Sequence, residues 1–245
     1  MPNQPLIFDT AIAKDKPENI RHPHNACPFC DPGQLTDIIA QDADRIWLLN
    51  KFPTLQATWQ TIVIEAARHD GDIATYSSAA SGRFKSVLCY KSFGPHSGGS
   101  LRHPHMQIVG LMAADGYANV TAANLTGYSV LAVDQVQVTV SDRPIMGFVE
   151  INVAAPATAI APLADAVQQV VQYTLNTYFH GQCDSYNLFF YPRDDQIVAK
   201  VVPLFNVSPY YIGYRLAQAD TPKRMRAIAE EIRQQFERSN LAHSN

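Results

Sequence analysis

Gly98-Gly99-Ser100-Leu101-Arg102-His103-Pro104-His105-Met106-Gln107-Ile108-Val109 is the stretch from which the rest of the chain can be read. A Gly/Ser-rich loop runs into two histidines and a glutamine, each two residues apart. In an extended segment, period-2 geometry points His103, His105 and Gln107 to one face, while Met106, Ile108 and Val109 suit a half-buried strand. Three ligand-capable side chains on one face, beside a backbone flexible enough to approach an anion, are costly to keep unless they are used. The stretch is therefore a candidate active site carried by a strand and its preceding loop.

The whole chain bounds what such a site can serve. Its 245 residues suit one large domain or two small ones, and 47% hydrophobic with 17% charged residues is the composition of an ordinary globular protein. A net charge of -3 and a pI near 6.2 argue against a general nucleic-acid or membrane-surface role. No apolar run approaches the roughly 18 residues that a membrane span needs. The start, Met1-Pro2-Asn3-Gln4-Pro5, lacks a basic region followed by an apolar stretch, so a cytoplasmic location is expected. Nucleic acid and membrane are not expected as partners, and a homodimer stays open alongside a monomer.

Four cysteines are present, Cys27, Cys30, Cys89 and Cys183. In a reducing compartment, the C-x-x-C of Cys27 and Cys30 reads as metal or redox chemistry before it reads as a disulfide. A thioredoxin-like dithiol should open a helix, but Pro32 and Gly33 follow at once, which favours a metal-binding turn. Cys89, inside Val87-Leu88-Cys89-Tyr90, and Cys183, near a turn, read as plain buried or half-buried thiols.

Around these residues the pattern is mainly of strands. Arg45 to Leu49 is a short apolar strand that ends in the polar turn Asn50-Lys51-Phe52-Pro53, and Thr61-Ile62-Val63-Ile64-Glu65 is β-branched and leads towards His69. Phe84 to Phe93 is a strand candidate whose loop enters the opening stretch, and the order strand, glycine loop, histidine strand suggests an antiparallel sheet. Further strands are expected over Leu125–Leu131, Val133–Val140, Phe148–Val153, Asp184–Tyr191 and Gln196–Leu204. An amphipathic helix is expected from Pro162 to about Phe179, stopped by Gly181, and a last helix from Thr221-Pro222 to about Phe236.

From Asn50-Lys51-Phe52-Pro53 through Glu65 and His69 to His103-Pro104-His105-Met106-Gln107, the chain resembles galactose-1-phosphate uridylyltransferases and their nucleotidyltransferase relatives. These form a branch of the histidine-triad (HIT-like) superfamily marked by H-P-H-x-Q, with an upstream C-x-x-C and a single intervening histidine as zinc ligands. The resemblance is good over about residues 25 to 110, and Lys200-Val201-Val202-Pro203-Leu204-Phe205 with Tyr211-Ile212-Gly213-Tyr214 looks like the family's C-terminal repeat. It implies an α+β fold of two HIT-like halves, each an antiparallel sheet with a packed helix. The expected division is 1–120, carrying the zinc site and H-P-H-x-Q, and 121–245, completing the pocket.

Position by position, the resemblance implies that Cys27, Cys30, His69 and His103 hold a structural zinc ion. It makes His105 the nucleophile and Gln107 a hydrogen-bond donor to the phosphoryl group. Gly98, Gly99 and Ser100 would reach the phosphates, and Asn50 would lie near the nucleoside. The implied partner is a nucleotide or nucleotide sugar. Two departures bear on specificity. No second H-x-H follows residue 107, so a second metal site is not expected, and Met106 is bulkier than the small residue common in uridylyltransferases, which puts galactose in doubt.

The chemistry is coherent on its own terms. A neutral imidazole is a good nucleophile near pH 7, and an amide can donate to phosphoryl oxygens without taking a proton. Two other readings remain: a zinc-containing nucleotide-binding protein without catalysis, and a nucleotide hydrolase. His22 and His24, an H-x-H of their own, stay open between metal-ligand, phosphate and loop roles, His96 between phosphate contact and solvent exposure, and Lys91 and Arg102 between phosphate and surface charge.

Overall fold

The computed structural model describes residues 5–22, 24–42, 45–65, 84–133, 135–205 and 208–243. The chain is α+β, as expected, and falls into two compact units, Met1–Asn119 and Val120–Asn245.

The first unit opens with the short helix α1 (Thr10–Lys14), whose first N–H groups at Ala11 and Ile12 are capped by the Asp9 carboxylate. Five strands follow: β1 (Ile38–Asp42), β2 (Arg45–Leu49), β3 (Thr58–Ile64), β4 (Ser86–Phe93) and β5 (His105–Leu111). They pair antiparallel in the order β1-β2-β3-β5-β4. The β-branched and aromatic side chains of β3, Thr58-Trp59-Gln60-Thr61-Ile62-Val63-Ile64, suit a pleated surface covered on both faces. β5 is bonded along both edges, to β3 from Ile64↔His105 to Thr58↔Leu111 and to β4 from Tyr90↔Gln107 to Ser86↔Leu111. A doubly paired strand is a rigid support for the histidine it begins with.

The two faces of this sheet differ. Ile46, Leu48 and Ile64 pack with Phe29 and Leu101 in a small buried cluster, against which Cys27, Leu35 and Ile62 also lie. Register puts this cluster on the face of His105 and Gln107, since these residues oppose Ile64 and Ile62. The other face carries an aromatic row, Trp47 edge-on to Trp59 at 5.9 Å and Trp59 stacked on Phe84 at 5.6 Å. Phe84 lies so close over Gly110 that a Cβ there would come within 2.6 Å of the ring.

The second unit repeats the arrangement. β6 (Gly127–Val133), β7 (Val136–Ser141), β9 (Ile151–Pro156), β10 (Tyr186–Arg193) and β11 (Gln196–Pro203) pair antiparallel in the order β6-β7-β9-β11-β10, the same sequence of neighbours as in the first unit. The two-residue β8 (Gly147–Phe148) instead pairs in parallel with β12 (Gln218–Ala219). Helix α2 (Ile160–Asn176) connects β9 to β10 and buries Leu163, Val167, Val170, Val171 and Thr174 towards β9 and β11. The short helix α3 (Pro209–Tyr214) precedes α4 (Pro222–His243), whose Met225, Ile228, Ala229 and Ile232 recur at helical spacing and are buried. Residues 66–83, between β3 and β4, lie outside the description. Among the described residues no helix is long and apolar enough to cross a membrane.

Boundaries moved where backbone chemistry intervened. The expected helix to Phe179 ends at Asn176, because Phe179 (φ 51°) and His180 (φ 58°) are left-handed, followed by Gly181 at φ 71°. The strand expected from Leu125 starts at Gly127, after a 3-10 turn over Ala122–Leu125. Phe148, with φ 59°, divides the expected Phe148–Val153 strand into β8 and β9. α1, β1, α3 and β12 have no strong periodic signal and are additions.

One polar group organises the second core. Lys200, fully buried on β11, donates to Glu150 Oε2 at 2.9 Å and to the Asn124 carbonyl at 2.8 Å, while Glu150 accepts the Ile145 and Met146 N–H groups at 2.8 Å each. Removing one partner strands the other charge away from water, so Lys200→Met is expected to destabilise the protein by about 3–5 kcal/mol. A urea titration of both proteins would measure it, and an unchanged midpoint would contradict this account of the core.

Candidate active site and metal centre

His105 is the first residue of β5 and is buried. Its Nδ1 lies 2.8 Å from the His103 carbonyl oxygen, which can only accept, so Nδ1 carries the proton and the lone pair falls on Nε2. Burial drives its pKa down to about 4, and the positive charges of Lys91 and Lys16 act in the same direction, against the hydrogen bond to the His103 carbonyl. The imidazole is therefore neutral at neutral pH with a nucleophilic Nε2. Gln107 follows on the same face, half-buried, and its Oε1 accepts a hydrogen bond from the Tyr90 hydroxyl at 3.1 Å.

His103 is not part of the strand. Pro104 has no N–H to give to the ladder, and β5 begins one residue later. That break lets His103 turn towards the C-x-x-C turn rather than simply alternate with His105. Its Nδ1 comes within 3.7 Å of Cys30 Sγ, and the ligand atoms of Cys27, Cys30 and His103 all lie within 4.8 Å of one another. Cys27 and Cys30 are brought together by the 3-10 turn Pro28–Cys30, closed by Cys30 N–H donating to the Cys27 carbonyl at 3.1 Å. Phe29, between them in sequence, is buried with its ring edge-on to His103 at 5.9 Å and to His105 at 5.5 Å.

Two thiols and an imidazole are the donors that zinc prefers, and tetrahedral zinc with bonds of about 2.0–2.3 Å sets its ligand atoms about 3.3–3.8 Å apart. Cys30 and His103 already meet that separation, and the widest of the three spacings needs to close by at most about an ångström. His69, the fourth ligand that the resemblance implies, lies outside the described residues. The other two cysteines are plain thiols: burial pushes Cys89 up to about 12 and raises Cys183 as well.

The glycine loop is shaped for close approach. Gly98 is left-handed (φ 79°) with open space around its missing side chain, whereas a Cβ on Gly99 would meet Ser92 Cβ at 3.2 Å and Ser97 Oγ at 3.3 Å. The Gly99 N–H already donates to Ser97 Oγ at 3.2 Å, so Gly98 and Ser100 are the freer donors towards an anion. Ser100 is half-buried, and its carbonyl accepts from Asn19 N–H at 3.0 Å. Buried Asn19 also accepts from Arg102 N–H at 2.9 Å, and the Arg102 guanidinium donates to the Ile20 carbonyl at 3.3 Å. The N-terminal segment is thereby clamped along the loop, which brings half-buried Lys16 close enough for its charge to act on His105.

The remaining sequence candidates divide clearly. Asn50 is buried just beyond β2, and its Oδ1 accepts the Phe52 N–H at 2.9 Å, an Asx turn that shapes the N-x-F-P loop. Lys91 is neither a surface charge nor a phosphate ligand. It is buried and donates to both Glu65 carboxylate oxygens at 2.7 Å, and its neighbour Tyr90 takes the Gln107 face, so Lys91 takes the opposite one. His22, His24, His96 and Arg102 are exposed. Lys16 and Tyr90 are additions to the site: Lys16 stands in an irregular Pro-rich stretch without a motif, and Tyr90 reads from sequence as one more apolar strand residue. In the second unit, the position matching His105 is Gln196, since Pro156↔Gln196 repeats the pairing Ile64↔His105. No histidine lies on β11, so of these two matching strands β5 alone begins with an imidazole.

Comparisons with known proteins bear on the family and the fold. Family models for the N-terminal and C-terminal domains of DUF4931, a domain of unknown function, match residues 8–81 with 78–114 and residues 117–237. The crystal structure of a DUF4931 family protein from Bacillus cereus ATCC 10987 is 40% identical, covers 82% of this chain and 99% of its own, and superposes with a TM-score of 0.70. A uridylyltransferase structure is 15% identical over 89% of this chain and 93% of that one, with a TM-score of 0.65. An ADP-glucose phosphorylase from Arabidopsis thaliana with bound ADP-glucose is 13% identical over 92% and 93%, with a TM-score of 0.62. At those identities the last two establish a shared fold. No curated protein matches by sequence.

Proposed function

This chain belongs to the DUF4931 family and has the fold of the galactose-1-phosphate uridylyltransferase-like branch, and from that premise we propose that it is a nucleotidyltransferase or phosphorylase. Its substrate is a nucleoside-diphosphate sugar or a related nucleotide, and its intermediate a nucleotidyl-His105. The observation that carries the reading is the state of His105: a buried, neutral imidazole whose Nδ1–H is fixed on the His103 carbonyl at 2.8 Å, leaving the Nε2 lone pair to attack.

Nε2 attacks the α-phosphorus, the P–N bond forms, and the bond to the bridging oxygen breaks with its electron pair leaving on the sugar 1-phosphate. The Gln107 amide donates to the phosphoryl oxygens, where charge accumulates. A second acceptor then attacks the same phosphorus, the P–N bond breaks, and its electron pair returns to Nε2. An inorganic phosphate acceptor releases a nucleoside diphosphate, a sugar phosphate a new nucleotide sugar, and water a mononucleotide. Gly98 and Ser100, with Gly99 shaping the backbone, form the phosphate-binding loop, and Asn50 holds the turn next to the nucleoside. Cys27, Cys30 and His103 would hold a zinc ion, with His69 as the fourth ligand. Bound there, the metal would tie the C-x-x-C turn to His103, two residues before the nucleophile that begins β5.

Mass spectrometry of the protein incubated with UDP-glucose and with ADP-glucose tests the reading. A mononucleotide adduct that maps to His105 is expected with at least one of them, and the product released on adding phosphate, sugar 1-phosphate or neither identifies the acceptor. A protein that binds these nucleotides by calorimetry yet yields neither adduct nor turnover would be the silent binding protein instead.

A further inference from the structure

We propose that Tyr90 is a positioning residue that sets the orientation of the Gln107 amide, so that its N–H end rather than its carbonyl end meets the phosphoryl group; this rests on the function proposed above. Two independent observations place the pair. Tyr90 and Gln107 are direct cross-strand partners in the β4–β5 register, so their side chains rise from the same face. The Tyr90 hydroxyl then donates to Gln107 Oε1 at 3.1 Å.

A primary amide is electrostatically two-faced, with an acceptor at one end and two donors at the other. The terminal torsion of glutamine is broad and roughly two-fold, so the chain alone does not choose between the two ends. Only one choice serves phosphoryl transfer. A carbonyl oxygen turned towards the phosphoryl oxygens opposes their growing negative charge, whereas an N–H donates to it. By occupying Oε1 with an O–H, Tyr90 leaves Nε2 as the end that can face the phosphate. Burial pushes the Tyr90 phenol up to about 12, so the hydroxyl remains a donor across the neutral range. Tyr90 thus acts through Gln107, and loss of its hydroxyl should slow the chemistry without weakening nucleotide binding.

Single-turnover nucleotidylation with UDP-glucose or ADP-glucose, followed over a range of nucleotide concentration, tests this in wild type, Tyr90→Phe, Gln107→Ala and the double variant. Tyr90→Phe should lower the maximal rate by about three- to tenfold, the scale of one neutral hydrogen bond, with half-saturation within about twofold. In the Gln107→Ala background the same substitution should change the rate by less than about twofold, because the amide it orients is gone. A full Tyr90→Phe effect in that background, an effect seen only in half-saturation, or no effect in the wild-type background would each overturn the proposal while leaving nucleotidyl-histidine chemistry in place. Absence of any adduct in the wild-type protein would overturn both. Thermal unfolding of Tyr90→Phe, expected within a few degrees of wild type, separates loss of orientation from loss of fold.

Discussion

His105→Ala is expected to abolish nucleotidylation, with single-turnover adduct formation falling by at least about a thousandfold, because no other group can replace an attacking imidazole at that position. The size follows from the mechanism: a missing nucleophile removes the covalent step, whereas a missing orienting group only raises its barrier. Among the described residues, Lys16 is an amine on a separate segment, and three other neighbours of His105 are poor alternatives. His103 presents its Nδ1 to Cys30, Lys91 is bound to Glu65 at 2.7 Å, and Gln107 is an amide. The fold should tolerate the change, since β5 is bonded on both edges and the ring's strongest contact is with a backbone carbonyl. The cavity cost is about 2–4 kcal/mol, which denaturant titration would measure. A variant that keeps its adduct, mapped to another residue, would remove His105 from the role.

Much of this site was legible in advance because its residues declare themselves by type and spacing. H-P-H-x-Q after Gly-Gly-Ser, with an upstream C-x-x-C, narrows the chemistry before any coordinates are known. β2 to β5, α2 and α4 were legible because apolar periodicity is strong there. Two kinds of information were out of reach. The first is register: that Tyr90 stands opposite Gln107 depends on where β4 slides against β5, and nothing local in Val87-Leu88-Cys89-Tyr90 sets that. The second is the partner of a charge. Lys91 beside a glycine loop resembles a phosphate ligand, yet strand alternation turns it to the face opposite Tyr90, where Glu65 neutralises it in the interior. Lys16 shows the converse, a residue in an irregular segment that acquires a position through tertiary contacts such as those of Asn19 to the loop. The duplicated strand order of the two units was implied by family resemblance rather than by visible repetition, since β5 and β11 share neither histidines nor spacing.

Metal removal should have the second large effect, and it should be confined in a way that distinguishes it from general unfolding. Cys27 and Cys30 lie on a turn in a segment of few regular hydrogen bonds, held mainly by Phe29 in a cluster with Ile46, Leu48, Ile64 and Leu101. A bound ion adds a link from that turn to His103, and metal binding of this kind contributes directly to folding free energy. Elemental analysis is expected to find about one zinc per chain, and Cys30→Ser to lose it. Stability should fall by several kcal/mol, which for a chain of this size lowers the thermal midpoint by about 10 °C. Adduct formation should fall with it, because the carbonyl that holds the His105 tautomer belongs to His103, a ligand. Alkylation at neutral pH reads the site directly. Cys89 and Cys183 are held as unreactive thiols by burial, so a chelator should expose two further reactive cysteines, Cys27 and Cys30, and added zinc should protect them again. Equal alkylation with and without chelator, in protein shown to contain zinc, would place the ion elsewhere and leave the C-x-x-C turn without its proposed work.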